Sequence, residues 1–167
     1  LFFIDYDVFE SDQKVTVATT RPETLFGDTA VCINPNDKRY SHLKEKYVLI
    51  PFINRKVPII QDESIDMEFG TGCVKITPAH DFNDYEIGKK YNLDIINILN
   101  KDGTLNSEVS KDLVGFNIHD SRKVVLSKLE EQNRLRKKEK YKTNISVGDR
   151  SGEIIEPLLT NQWFMKM

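Results

Sequence analysis

Cysteine is scarce in this 167-residue chain, with Cys32 and Cys73 alone. Both lie in apolar runs, Ala30-Val31-Cys32-Ile33 and Cys73-Val74-Lys75-Ile76, without the spacing of metal ligands. They read as small buried hydrophobes of a reducing compartment. Histidine is equally sparse: His42, His80 and His119 are too scattered for a metal site, and no nucleophile–base–orienter set stands out. Net charge is almost absent at −2, which argues against gripping nucleic acid by bulk electrostatics. Any RNA contact is then expected through a local pocket or a larger partner. No apolar run is long enough to span a membrane and the N-terminus does not resemble a targeting peptide. A cytoplasmic monomer is expected, with an organellar copy as the alternative. Asn144-Ile145-Ser146 matches a glycosylation acceptor, but no secretory signal supports that use. An initiating Met is missing too, and the chain stops after Gln162-Trp163-Phe164-Met165-Lys166-Met167, so it reads as part of a longer protein.

What is present is the material of a globular domain: 39% hydrophobic and 30% charged residues, with nine Phe and six Tyr. Short β runs are expected at 1–9, 14–19, 29–33, 47–50, 57–60, 73–77 and 95–99, with an Asp102-Gly103 turn leading into another hairpin. Two helices are expected. One covers 81–91 with Asp81 as N-cap and Asp84 in its first turn, and one covers 120–132, capped by Asp120, with Val125 and Leu129 on one face. Many short strands, few helices and no strand–helix alternation predict an α+β domain, a curved mixed sheet or β-barrel core with a few flanking helices. The domain is expected over 1–145, and 146–167 reads as a connection leaving it.

Three segments have chemical potential. In Val17-Ala18-Thr19-Thr20-Arg21-Pro22-Glu23-Thr24-Leu25-Phe26-Gly27-Asp28 a strand ends in hydroxyls and a guanidinium, with Pro22 keeping Arg21 extended. Such an end can present donors and acceptors at a pocket mouth, although capping and a structural salt bridge are the plainer account of the residue types. In Phe69-Gly70-Thr71-Gly72-Cys73-Val74-Lys75-Ile76-Thr77-Pro78-Ala79-His80-Asp81, the glycines permit a tight turn and Lys75 and Thr77 share a strand face. Asp81 and Asp84 follow one helical turn apart. Lysine, hydroxyl, imidazole and two carboxylates so close together suit a ligand with an ammonium group and a hydroxyl; helix capping is the plainer account of the aspartates. The third segment, the basic run 134–142, reads as a solvated helix end more readily than as a phosphate contact.

The first two segments, in this order and separation, resemble the editing domain of the class I aminoacyl-tRNA synthetases for valine, isoleucine and leucine. Within that trio, Thr-Thr-Arg-Pro-Glu-Thr with Val-Lys-Ile-Thr-Pro-Ala-His-Asp and Asn-Asp-Tyr-Glu is similar to the valine enzyme, and Ile154-Glu-Pro-Leu-Leu with Gln162-Trp-Phe resembles its return to the catalytic domain. The leucine enzyme usually has Asp where Glu23 stands. The segment 146–152 looks shorter than in many relatives and lacks the Cys or His often found there. The resemblance implies hydrolysis of threonine wrongly esterified to the valine tRNA, with the 3′ CCA end and the rest of the synthetase as partners. It implies that Asp84 binds the α-ammonium, that Lys75, Thr77 and Asp81 read the hydroxyl and position water, and that Thr19, Thr20, Arg21 and Thr24 line the pocket. Asp81 and His80 are candidate bases, alongside a ribose hydroxyl of the tRNA itself. Phe69 would stack on a base of the CCA end, with Asp66 and Arg21 beside it. No metal or cofactor is implied here; ATP and Mg²⁺ serve only the synthetic site, whose signatures the chain lacks. A non-catalytic tRNA-contacting insert and a leucine or isoleucine editing domain are the alternatives. An apolar valine site rejects isosteric threonine by only about two orders of magnitude, a worked case for this very enzyme class, and a second, polar site answers that need.

Overall fold

The computed structural model describes residues 1–160 together with Trp163 and Met165. Alternating and β-branched residues put β1 at Phe2–Val8 and β2 at Lys14–Thr19, an antiparallel hairpin registered from Phe2 opposite Thr19 to Asp7 opposite Lys14. β3 (Ala30–Ile33) and β6 (Cys73–Ile76) pair antiparallel, and β3 also pairs with β5 (Lys56–Gln61), the one parallel contact between named strands. β4 (Tyr47–Leu49) joins β5 to β1, giving the order β2-β1-β4-β5-β3-β6. The two ends of this order lie against each other, and Thr71 Oγ1 donates to the Thr16 carbonyl at 2.7 Å. The mixed sheet is thus nearly closed into a barrel, which leaves little strand edge open to foreign pairing.

Ile4, Tyr6, Val17, Phe26, Val31, Ile33, Val48 and Ile50 fill the interior, each contributing about 1.5–3 kcal/mol of burial. Helix α1 (Phe82–Lys90) begins where expected, because the Asp81 side chain accepts from the amides of Asn83 and Asp84. Its close seat on the barrel needs Gly88, where a Cβ would stand 2.9 Å from Pro78 Cγ. Helix α2 (Ile118–Glu131) buries Ile118, Val125 and Leu129. Among the described residues no helix is long and apolar enough to cross a membrane, and both cysteines are buried free thiols.

The structure corrects three expectations. The N-cap of α2 is Asn117, whose side chain accepts from His119 N, so the helix starts two residues before Asp120 because Ile118 anchors its first turn in the core. Residues 95–99 form no strand beyond a single bridge between Leu99 and Leu105; the Ile98 amide is spent on His80 Nε2 at 3.0 Å. The basic run is neither a helix end nor a bare cationic patch. Asn133, at φ 53°, reverses the chain, and Leu135–Lys138 becomes β7, paired with β1. Its cations answer aspartates of β1: Arg134 bonds Asp7 at 2.5 Å, and Arg136 bonds the buried Asp5. The expected motif 162–164 lies outside the described residues, apart from Trp163.

Candidate active site

The end of β2, the 3₁₀ turn Pro22–Gly27, strand β6 and the start of α1 converge on one cavity of about 150 Å³. Its walls carry Thr19, Thr20, Arg21, Thr24, Phe69, Lys75, Thr77, His80, Asp81 and Asp84. Two segments some fifty residues apart in sequence therefore face one space, because β2 and β6 are the strands that meet when the barrel closes. Asp66 lies outside it. With Phe69, Tyr141 and Thr143 it lines an adjoining, wider cavity of about 720 Å³ that shares Thr20, Asp81 and Asp84. There Phe69 meets Tyr141 edge to face at 5.7 Å. The glycine turn before β6 is required: Gly70 and Gly72 adopt φ +59° and +74°, and a Cβ on Gly70 would come within 2.3 Å of Ala18 Cβ.

Beneath the cavity lies a buried polar network centred on Asp28, the last residue of the first segment, to which the sequence assigns no role by itself. Asp28 is fully buried. Its Oδ1 accepts from Lys75 Nζ at 2.9 Å and Thr77 Oγ1 at 2.7 Å, and its Oδ2 accepts from Tyr6 OH at 2.6 Å. Burial pushes the Asp28 carboxyl up, while the Lys75 ammonium and the hydroxyls of Tyr6 and Thr77 pull it back down. Lys75 Nζ also donates to Thr24 Oγ1 at 2.9 Å and Thr77 Oγ1 at 2.5 Å. The only signal in sequence was a lone acidic residue inside the apolar stretch 25–33.

The two aspartates of α1 differ. Asp81 is exposed and caps the helix through Oδ1, leaving Oδ2 without a partner among the described residues. Asp84 turns inward and accepts from the Thr77 amide at 2.8 Å. Desolvation raises its carboxyl to about 7, with the nearby Asp81 adding to the rise and Lys75 opposing it. The helix start, which favours an ionised carboxylate, is outweighed by loss of water. His80 is almost wholly buried. Its Nε2 accepts from the Ile98 amide, and Nδ1 lies 3.3 Å from the Pro157 carbonyl, so the neutral ring carries its proton on Nδ1. Burial lowers it to about 4. With both nitrogens engaged, His80 positions loops and has no free lone pair for proton abstraction.

Arg21 is aimed by three partners. It donates to the His80 carbonyl at 3.1 Å, to Glu23 Oε1 at 3.4 Å, and to Glu156. Glu23 is itself buried and receives a two-pronged contact from Arg122 of α2 at 2.8 and 2.9 Å. Residues 156 and 157 thus touch two pocket-lining side chains, Arg21 and His80.

Comparison with known proteins agrees with this geometry. A family model described as leucyl-tRNA synthetase, editing domain, matches residues 42–146. The chain is 49% identical over 166 residues to valine–tRNA ligase of Francisella tularensis, covering 99% of this chain and 18% of that protein. It is 53% identical over 161 residues to mitochondrial valine–tRNA ligase of Saccharomyces cerevisiae, covering 96% of this chain and 15% of that one. The chain therefore spans less than a fifth of the length of these relatives. Among solved structures, the Agrobacterium radiobacter K84 agnB2 LeuRS–tRNA–LeuAMS ternary complex is similar at TM-score 0.66 and 18% identity, covering 82% of this chain and 19% of that one. GlLeuRS-CP1 is similar at TM-score 0.62 and 14% identity, covering 84% of this chain and 99% of that one. Those two share the fold. This chain belongs to the editing-domain family of the class I aminoacyl-tRNA synthetases, with the valine–tRNA ligases as its sequence relatives.

Proposed function

We propose that the chain is the post-transfer editing hydrolase of a valine–tRNA ligase, removing threonine esterified to the valine tRNA. The supporting observation is a small cavity in which Thr24, Lys75 and Thr77 form one hydrogen-bonded polar cluster, with the Asp84 carboxyl also in the lining. A threonine side chain brings a hydroxyl to that cluster, whereas valine brings a methyl group that leaves buried polar atoms unpaired. The α-ammonium meets Asp84, and the opposite charge draws that carboxyl back to its ionised form. Arg21, held by Glu156 and the His80 carbonyl, lines the same wall and steadies the ester end. Phe69 and Tyr141 flank the wider cavity and offer aromatic faces to the unpaired CCA end.

In the reaction, water adds to the ester carbonyl, the bond to the ribose oxygen breaks, and that oxygen leaves as a hydroxyl. Asp81 Oδ2 is the protein group best placed to orient the water, and a neighbouring ribose hydroxyl is the other proton acceptor. The reaction draws on no cofactor in this domain. The domain proper spans 1–145, and 146–167 is the return connection to the rest of a cytoplasmic, monomeric synthetase.

The test replaces Asp84 by Ala in the full-length synthetase and follows threonine release from threonyl-tRNA for valine. The reading expects hydrolysis to fall by about two orders of magnitude with charging intact, in keeping with loss of a charged anchor. Unchanged release would overturn the anchoring role. A wild-type enzyme that charges normally but releases no threonine would leave a non-catalytic tRNA-contacting insert as the reading.

A further inference from the structure

Arg21 brings a guanidinium to the cavity lining, and a guanidinium has five N–H donors. It gives Nε to Glu23 at 3.4 Å, one Nη1 hydrogen to the His80 carbonyl at 3.1 Å and one Nη2 hydrogen to Glu156. Among the described residues, one hydrogen on each Nη is left for a ligand. The weakest of the three contacts is with Glu23, although Glu23 is the acid nearest in sequence. Its buried carboxylate is already occupied. Arg122, in the second turn of α2, closes a two-pronged contact on it, with Nη2 2.8 Å from Oε1 and Nε 2.9 Å from Oε2. Helix α2 contributes no residue to the cavity lining, but it packs on the 3₁₀ turn that carries Glu23.

The same molecule shows what an arginine does with an acid two residues away when no other cation competes. Arg39 folds back on Asp37, with Nε 2.9 and 3.1 Å from the two carboxylate oxygens and Nη2 2.6 Å from Oδ2. Arg21 and Glu23 have the same spacing, and glutamate has one more methylene with which to reach. With both its oxygens free, Glu23 would draw the Arg21 fork onto itself and off the His80 carbonyl.

We infer that Arg122 is a positioning residue of the editing site: by occupying Glu23 it keeps the Arg21 guanidinium from closing on its own neighbour, so that two N–H donors stay open to the ester end. This rests on the editing reading above. His119, on the same helix, stands 3.5 Å from Glu156, so α2 backs both carboxylates that flank Arg21.

The test follows threonine release from threonyl-tRNA for valine by the full-length synthetase, with charging as the check that the rest of the enzyme is intact. Arg122→Gln should raise KM about tenfold and leave kcat within about twofold. In an Arg21→Gln background the same change should raise KM less than about twofold, because the route through Arg21 is already cut. A merely structural role would raise KM equally in both backgrounds. Arg122→Lys, whose ammonium cannot match both oxygens of Glu23, should raise KM about threefold and carries the same comparison if Arg122→Gln does not fold. An unchanged KM in the folded variants overturns the inference, as does an equal rise with and without Arg21. Failure of the wild type to release threonine, with charging intact, overturns the editing reading first and this inference with it.

Discussion

Lys75 Nζ lies 2.9 Å from Asp28 Oδ1, with both side chains almost completely out of water. Removing one partner strands the other as an uncompensated buried charge. Asp28→Ala should therefore destabilise the chain by about 3–5 kcal/mol, read from urea unfolding. The double variant Asp28→Leu/Lys75→Met should be destabilised by less than the sum of its single changes. Additive losses would show that the pair is not coupled.

The two perturbed groups of the pocket pull stability in opposite directions with pH. Asp84 is raised to about 7, so between its ordinary value of 3.8 and 7 the folded chain holds the extra proton and stability falls as pH rises. His80 is lowered to about 4, so between 4 and 6.5 the unfolded chain holds the extra proton and stability is lost as pH falls. The two contributions offset each other in the wild type. Asp84→Asn should unmask a rise in melting temperature from pH 4 to 6.5 and add about 2 kcal/mol at pH 8, the full shift being discounted for partial exposure. His80→Gln should unmask the opposite slope. Parallel pH curves for both variants would contradict these assignments.

Among the protein's own pocket groups, hydrolysis should follow Asp84. Because an ionised carboxylate is needed to meet an ammonium, KM for the aminoacyl-tRNA should fall as pH rises through about 7 in the wild type. That dependence should vanish in Asp84→Asn and persist in His80→Gln. A limb that moves with His80 would restore the imidazole to the chemistry.

Glycine substitutions should separate crowding from strain. Gly70→Ala meets both a left-handed backbone and Ala18, and should displace the Phe69 rim and cost well over about 1 kcal/mol. Gly103→Ala has the same kind of backbone, at φ +80°, but open space around it, and should cost about 1 kcal/mol. Thermal unfolding of the two variants compares them directly.

Glu156 aims the Arg21 guanidinium and stands 3.5 Å from His119 Nε2. Glu156→Gln keeps a hydrogen-bonding group but removes the charge, and should raise KM about threefold while leaving kcat within about twofold. Steady-state hydrolysis by the full-length variant measures this split.

The pocket was legible where its residues follow the local period. Lys75 on β6 and Thr77 just past its end follow the strand's alternation, and Asp81 and Asp84 recur at one helical turn, so one short stretch of sequence displays half the site. The barrel was legible from the same alternation. Asp28 was not, because its meaning lies in Tyr6 and Lys75, 22 and 47 residues away, which meet it only once the sheet closes. Strand β7 was hidden for a similar reason: Leu135–Lys138 is nearly all basic, and what makes it a strand is the free edge of β1 and the aspartates there. The start of α2 was misread because Asp120 and Asn117 both look like caps, and only the burial of Ile118 decides between them.

The most direct measurement is the ratio of deacylation rates for threonyl- and valyl-tRNA, both on the valine tRNA, with the full-length synthetase in single turnover. The polar cluster of Thr24, Lys75 and Thr77 predicts that threonine is released at least about a hundredfold faster than valine. Equal rates, or faster loss of valine, would contradict a pocket that selects for the hydroxyl.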